Sequence, residues 1–64
     1  MSMSTVNKNY VIGNCEVYEF FDENLKQHCW EVWNDHTGLA MCGGDTDQQA
    51  AKVGCERAIF SMKD

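Results

Sequence analysis

Residues 41–55 read MCGGDTDQQAAKVGC, and the way this stretch is read decides the fold. Two glycines stand just before a segment with helical spacing, with a cysteine on either side. The stretch fits a phosphate-binding loop, part of a metal site, or the plain start of a helix. A phosphate loop requires GxxxxGK[ST] or GxGxxG spacing. GGDTDQQ has neither, and Asp45 and Asp47 put negative charge where an anion would sit. Gly43-Gly44 then reads as a flexible connection from a strand into a helix. Thr46 is a suitable N-cap, and Gln49 three residues later completes a capping box. Asp47 in the first turn and Lys63 at the far end suit the helix dipole. The expected helix runs over residues 46–62.

On a helical wheel Ala51, Gly54, Cys55, Ala58, Ile59 and Met62 share one broad face. Most are small, which lets a helix backbone come close to a sheet that carries large side chains. Val53 and Phe60, seven residues apart, fall on the opposite side.

The sheet is upstream. Residues 10–21, YVIGNCEVYEFF, are rich in β-branched and aromatic types and read as one β segment, interrupted at Gly13-Asn14 by a bulge or a tight turn. DENLK (22–26) is turn-like, and QHCWEVWN (27–34) is a second strand. NDHTG (34–38) is the next turn, with Gly38 able to take positive φ, and LAMC (39–42) is a short third strand. The order βββα makes an α+β domain: a three-stranded antiparallel meander packed against one C-terminal helix. Residues 1–9 read as a flexible terminus and 10–64 as a single small domain.

Strand alternation sends Val17, Phe21, Trp30 and Val32 toward the helix and Tyr18, Phe20 and Trp33 away from it. One helix cannot cover both faces of a sheet. Either the N-terminal segment folds over the second set, or that patch contacts another protein.

The chain has 64 residues, with 10 acidic against 5 basic and a formal net charge of -5. The imbalance is local: Glu16, Glu19, Asp22, Glu23, Glu31 and Asp35 are opposed only by Lys26. Such a surface repels nucleic acid, whose binders need cations to displace phosphate counterions. It suits a protein target with a basic surface, and complementary charge speeds that encounter. No apolar run approaches the roughly 20 residues of a membrane span. No apolar h-region follows a basic start, so the expected location is cytoplasmic, with reduced cysteines.

Cys15, Cys29, Cys42 and Cys55 stand about one per element, with His28 and His36 as further candidate ligands. Structural zinc usually draws on CxxC pairs, and none is present. The cysteines read as small packing residues. His28 and Cys29 are adjacent on a strand and point to opposite faces, so they cannot act as base and nucleophile. No catalytic residue, metal or cofactor is expected.

Residues 38–59, GLAMCGGDTDQQAAKVGCERAI, resemble the strand-to-helix segment of HicB-type antitoxin domains. Gly44, Asp45, Thr46, Ala50, Ala51, Ala58 and Ile59 carry the resemblance, and HCWEVWND (28–35) is similar to that family's second strand. The family's proline-containing stretch has no counterpart here, because the chain has no proline. The resemblance implies a small domain that binds and neutralises a protein, often as an oligomer.

The resulting expectation is a non-enzymatic, acidic protein-binding module, an inhibitor or antitoxin-like protein of phage or mobile-element type. By composition it is comparable to anti-CRISPR proteins. Its partner-binding residues are expected to be Glu16, Tyr18, Glu19, Phe20, Asp22, Glu23, Glu31, Trp33 and Asp35. The alternatives are a homodimer through Val53 and Phe60 or through the sheet face, and a zinc-stabilised domain.

Overall fold

Gly13-Asn14 is a tight turn, not a bulge, and it splits the first β segment into two strands. The computed structural model describes residues 8–62. The elements are β1 (Lys8–Ile12), β2 (Cys15–Asp22), β3 (Gln27–Asn34), β4 (Ala40–Asp45) and α1 (Gln48–Met62). The domain is α+β with a C-terminal helix, but the sheet has four strands where three were expected. The reason is local. Ile12 pairs with Cys15 across a two-residue loop, and Gly13 takes φ +60°. Positive φ at the first loop residue matches the right-handed twist of the flanking strands, and glycine adopts it without steric cost. β1 begins at Lys8, inside the segment expected to be a flexible terminus; residues 1–7 lie outside the described residues.

All neighbours are antiparallel, in the order β1-β2-β3-β4. The β2–β3 turn is held by Asp22, whose Oδ1 accepts from the amides of Asn24 at 2.8 Å and Leu25 at 3.0 Å. The β3–β4 turn is held by Asn34, whose Oδ1 accepts from the amides of His36 at 2.8 Å and Thr37 at 3.0 Å. Gly38 takes positive φ as its place in that turn required.

The core lies between one sheet face and α1. Its buried members are Cys15, Val17, Trp30, Val32, Ala51, Cys55, Ala58 and Ile59. The small-residue helix face therefore meets the large residues of the sheet, with Tyr10 and Met62 packed at the margin. Phe21 is only half-buried and stacks edge-on against His28 with centroids 5.0 Å apart.

Two details of the quoted stretch differ from expectation. Gly43 and Gly44 are not a hinge: both lie inside β4. A Cβ on Gly43 would come within 2.7 Å of the Trp30 ring, and one on Gly44 within 2.8 Å of the His28 carbonyl oxygen. Across the same indole, a Cβ on Gly54 would sit 3.4 Å from Trp30 Nε1. Trp30 is thus clasped between a glycine of the sheet and a glycine of the helix. The N-cap is Asp47, not Thr46. Its Oδ1 accepts from the Gln49 amide at 3.2 Å and its carbonyl from the Ala51 amide at 3.0 Å. Asp45 Oδ1 in turn accepts from the Asp47 amide at 2.9 Å, fixing the approach to the helix. Lys63 lies outside the described residues.

The far end of α1 is tied to the sheet by Asn34, the buried polar residue of the core region, 2% exposed. Its Nδ2 donates to the Met62 carbonyl at 2.6 Å. One side chain thus satisfies a turn and an orphan carbonyl at a helix end, the group most in need of a partner there.

Candidate functional site

Among the described residues, period-two alternation leaves the other sheet face without a helix. Strand register gives its composition: Glu16 stands opposite Trp33, Tyr18 opposite Glu31, Phe20 opposite Cys29, and Asp22 opposite Gln27. β1 adds Val11 beside Glu16, and β4 adds Ala40 beside Trp33 and Cys42 beside Glu31. The pairs at 16/33 and 18/31 form a two-by-two checkerboard of acids and rings.

Hydrogen bonds hold that checkerboard. The Tyr18 hydroxyl donates to Glu16 Oε1 at 2.8 Å, and the Trp33 indole N–H donates to Glu31 Oε1 at 3.2 Å. Each ring is thus locked to a carboxylate two residues away on its own strand, the spacing that puts both on one face. Asp35 joins from the following turn, where its amide donates to the Asn14 carbonyl at 2.9 Å. Together Glu16, Tyr18, Glu31, Trp33 and Asp35 line a shallow cleft of about 390 Å³.

Three carboxylates in one cleft raise the cost of ionising all of them. The Asp35 carboxyl is pushed above its ordinary value, chiefly by a hydrogen bond with Glu16, then by desolvation and by the Glu16 charge. The Tyr18 hydroxyl is pushed up by its hydrogen bond to Glu16 and by that group's charge. Both shifts have the same leading cause, a hydrogen bond with Glu16, and the Glu16 charge adds to each. A cation entering the cleft offsets that charge. Ring faces attract cations through their quadrupole, and carboxylates accept charge-assisted hydrogen bonds from guanidinium or ammonium groups.

The nine expected partner-binding residues do not form one set. Glu16, Tyr18, Phe20, Asp22, Glu31 and Trp33 share the open face, with Asp35 at its margin. Glu23 is exposed in the β2–β3 turn. Glu19 is on the other face, under the helix side, where it accepts a hydrogen bond from the Tyr10 hydroxyl. That hydroxyl is shifted upward by burial and by Glu19. Strand parity alone separates Glu19 from its neighbours. Val11, 65% exposed, and Cys42 belong to the open face and were missed. The same parity rule finds Val11 once β1 is recognised, and Cys42 already lies in the expected third strand.

Val53 and Phe60 lie on the side of α1 away from the sheet, 44% and 80% exposed. The four cysteines are free thiols. Register and burial divide them, with Cys15 and Cys55 in the core and Cys29 and Cys42 on the open face. The Cys55 thiol is raised by burial first and then by Glu19, which keeps it protonated. Among the described residues no three His, Cys, Asp or Glu side chains gather as metal ligands. Among them, too, no helix is long and apolar enough to cross a membrane.

No protein-family model matches the chain, and the searches of curated proteins and of solved structures found no match to it.

Proposed function

We propose that this chain is a non-enzymatic binding module whose open sheet face covers a basic surface of a target protein. The observation that carries the reading is the acid–ring checkerboard, with Asp35 as a third carboxylate. Exposed rings in a rim of charge are suited to an anchor that excludes water while the charges choose the partner. Occlusion of a basic, nucleic-acid-binding surface on the target is the corresponding mechanism. It fits an inhibitor or antitoxin-like role in the cytoplasm, of the phage-borne kind that includes anti-CRISPR proteins. The resemblance of residues 38–59 to HicB-type antitoxin domains supports the same class.

The test is affinity capture from the native host with two baits, the wild-type chain and Trp33→Ala. A basic protein retained by the first and lost from the second supports the reading. A partner held equally by both baits counts against the open face.

Phe60, at 80% exposure, favours self-association through α1 as the second reading. Light scattering on size-exclusion fractions separates the two, because a monomer at high concentration removes the dimer.

A further inference from the structure

The helix does not cover its own side of the sheet evenly. It packs over β3 and β4 and touches β2 only lightly. Between α1 and the β1–β2 edge this leaves a groove of about 450 Å³, on the face opposite the acidic cleft. A volume of that size is within the usual range of small-molecule sites.

Its apolar walls are Trp30 and Phe21 from the sheet and Ala51 and Cys55 from the helix, and His28 and Gln48 add polar groups to the lining. Its charge is the reverse of the open face. Lys8 and Lys52 line it from β1 and from α1, two of the 5 Lys and Arg residues in a chain of net charge -5. Among the described residues the one lining carboxylate is Glu19, which accepts a hydrogen bond from the Tyr10 hydroxyl. Two ammonium groups beside a half-open apolar trough match a ligand with one anionic end and one apolar body.

We infer that this groove is a second binding site, for a small amphiphilic carboxylate whose anionic head meets Lys8 and Lys52 and whose apolar body lies along Trp30, Phe21 and Ala51. The site shares no lining residue with the acidic cleft, although Phe20 and Cys29, which the register places on the open face, also border the groove. Each ammonium–carboxylate contact at a half-open site contributes modestly, so the apolar body supplies most of the affinity.

The test is an NMR titration of the isotopically labelled full chain with octanoate, with octylammonium as the opposite-charge control. Saturable shifts of the Trp30 indole N–H and the Ala51 and Lys52 amides are expected with octanoate at concentrations up to about 10 mM, the weak-affinity range of a small ligand. Octylammonium, with the same apolar body, should bind about fivefold or more weakly. The Lys8→Gln/Lys52→Gln double variant, altered only at exposed positions, should keep the wild-type spectrum and weaken octanoate binding about fivefold or more. Equal shifts from the two ligands, an unchanged affinity in the double variant, or no saturable shift at Trp30 overturns the inference. None of these outcomes bears on the open face, which is read from the Trp33 indole.

Discussion

The two faces of this sheet are built from the same eight-residue strands, yet they solve opposite problems. The covered face carries Cys15, Val17, Trp30 and Val32 and meets a helix of small residues. Gly43 and Gly54 remove side chains where Trp30 needs space. The open face also carries rings, and those of Tyr18 and Trp33 each have a polar handle bonded to a carboxylate. A Trp inside and a Trp outside thus have different jobs. Trp30 holds the helix to the sheet, while Trp33 is kept in place by Glu31 and remains 45% exposed. The comparison teaches that stability and recognition occupy opposite sides of one pleat, so substitutions should separate them.

The largest expected effect is at the clasped indole. Trp30→Ala should cost about 3–5 kcal/mol, enough to unfold a domain of this size. Chemical denaturation or circular dichroism reads this directly. Trp33→Ala should leave stability within about 0.5 kcal/mol, as exposed substitutions usually do. Similar losses at both positions would break the division of labour.

Next is the space beside Trp30. Gly43→Ala forces a Cβ into the ring and should destabilise by about 1–3 kcal/mol. Gly54→Ala meets the same ring at ordinary contact distance inside a helix. It should be neutral or stabilise by up to about 1 kcal/mol, through helix propensity. Opposite signs from one substitution at two glycines are the sharpest check of the clasp. Of similar size, Asn34→Ala should cost about 1–3 kcal/mol by leaving the Met62 carbonyl and the turn amides without their partner.

The smallest effect is the titration of Asp35. Its carboxyl keeps a proton to higher pH in the folded chain than in the unfolded one. Within that window the folded state binds more protons, so stability falls slightly as pH rises through it. Affinity for a cationic partner moves the other way, because the ionised form is the one that attracts it. A partner-binding assay and a melt run over the same acidic range should therefore trend in opposite directions. In Asp35→Asn both trends should flatten.

Much of this was legible in the sequence because periodicity is a strong local signal. The helix face from Ala51 to Met62 and the strand Gln27–Asn34 follow directly from spacing. The failures are of three physical kinds. Gly13-Asn14 is compatible with either a bulge or a turn, and only the pairing of Ile12 with Cys15 decides between them. Thr46 and Asp47 are both good N-caps, and Asp45 bonding to the Asp47 amide tips the balance. Gly43 looked like a hinge because its reason is a tertiary contact with Trp30, thirteen positions earlier in sequence and directly opposite across the ladder. At the candidate site the residue types were readable and the grouping was not. Glu19 looks equivalent to Glu16 in composition, but parity puts it on the other side. Asn34 gave no signal beyond a turn-forming residue, since its second role depends on where the helix ends.

The most direct test of the open face is an NMR titration with a short oligo-arginine peptide, comparing wild type with Trp33→Ala at equal net charge. Diffuse charge attraction is the same for both chains, so only a built site distinguishes them. The expected result is saturable shifts centred on Glu16, Tyr18, Glu31, Trp33 and Asp35, with affinity at least tenfold weaker in the variant, on the order of an interface anchor. Shifts spread evenly over both faces, or equal affinity for the two chains, would contradict the open face as a recognition site.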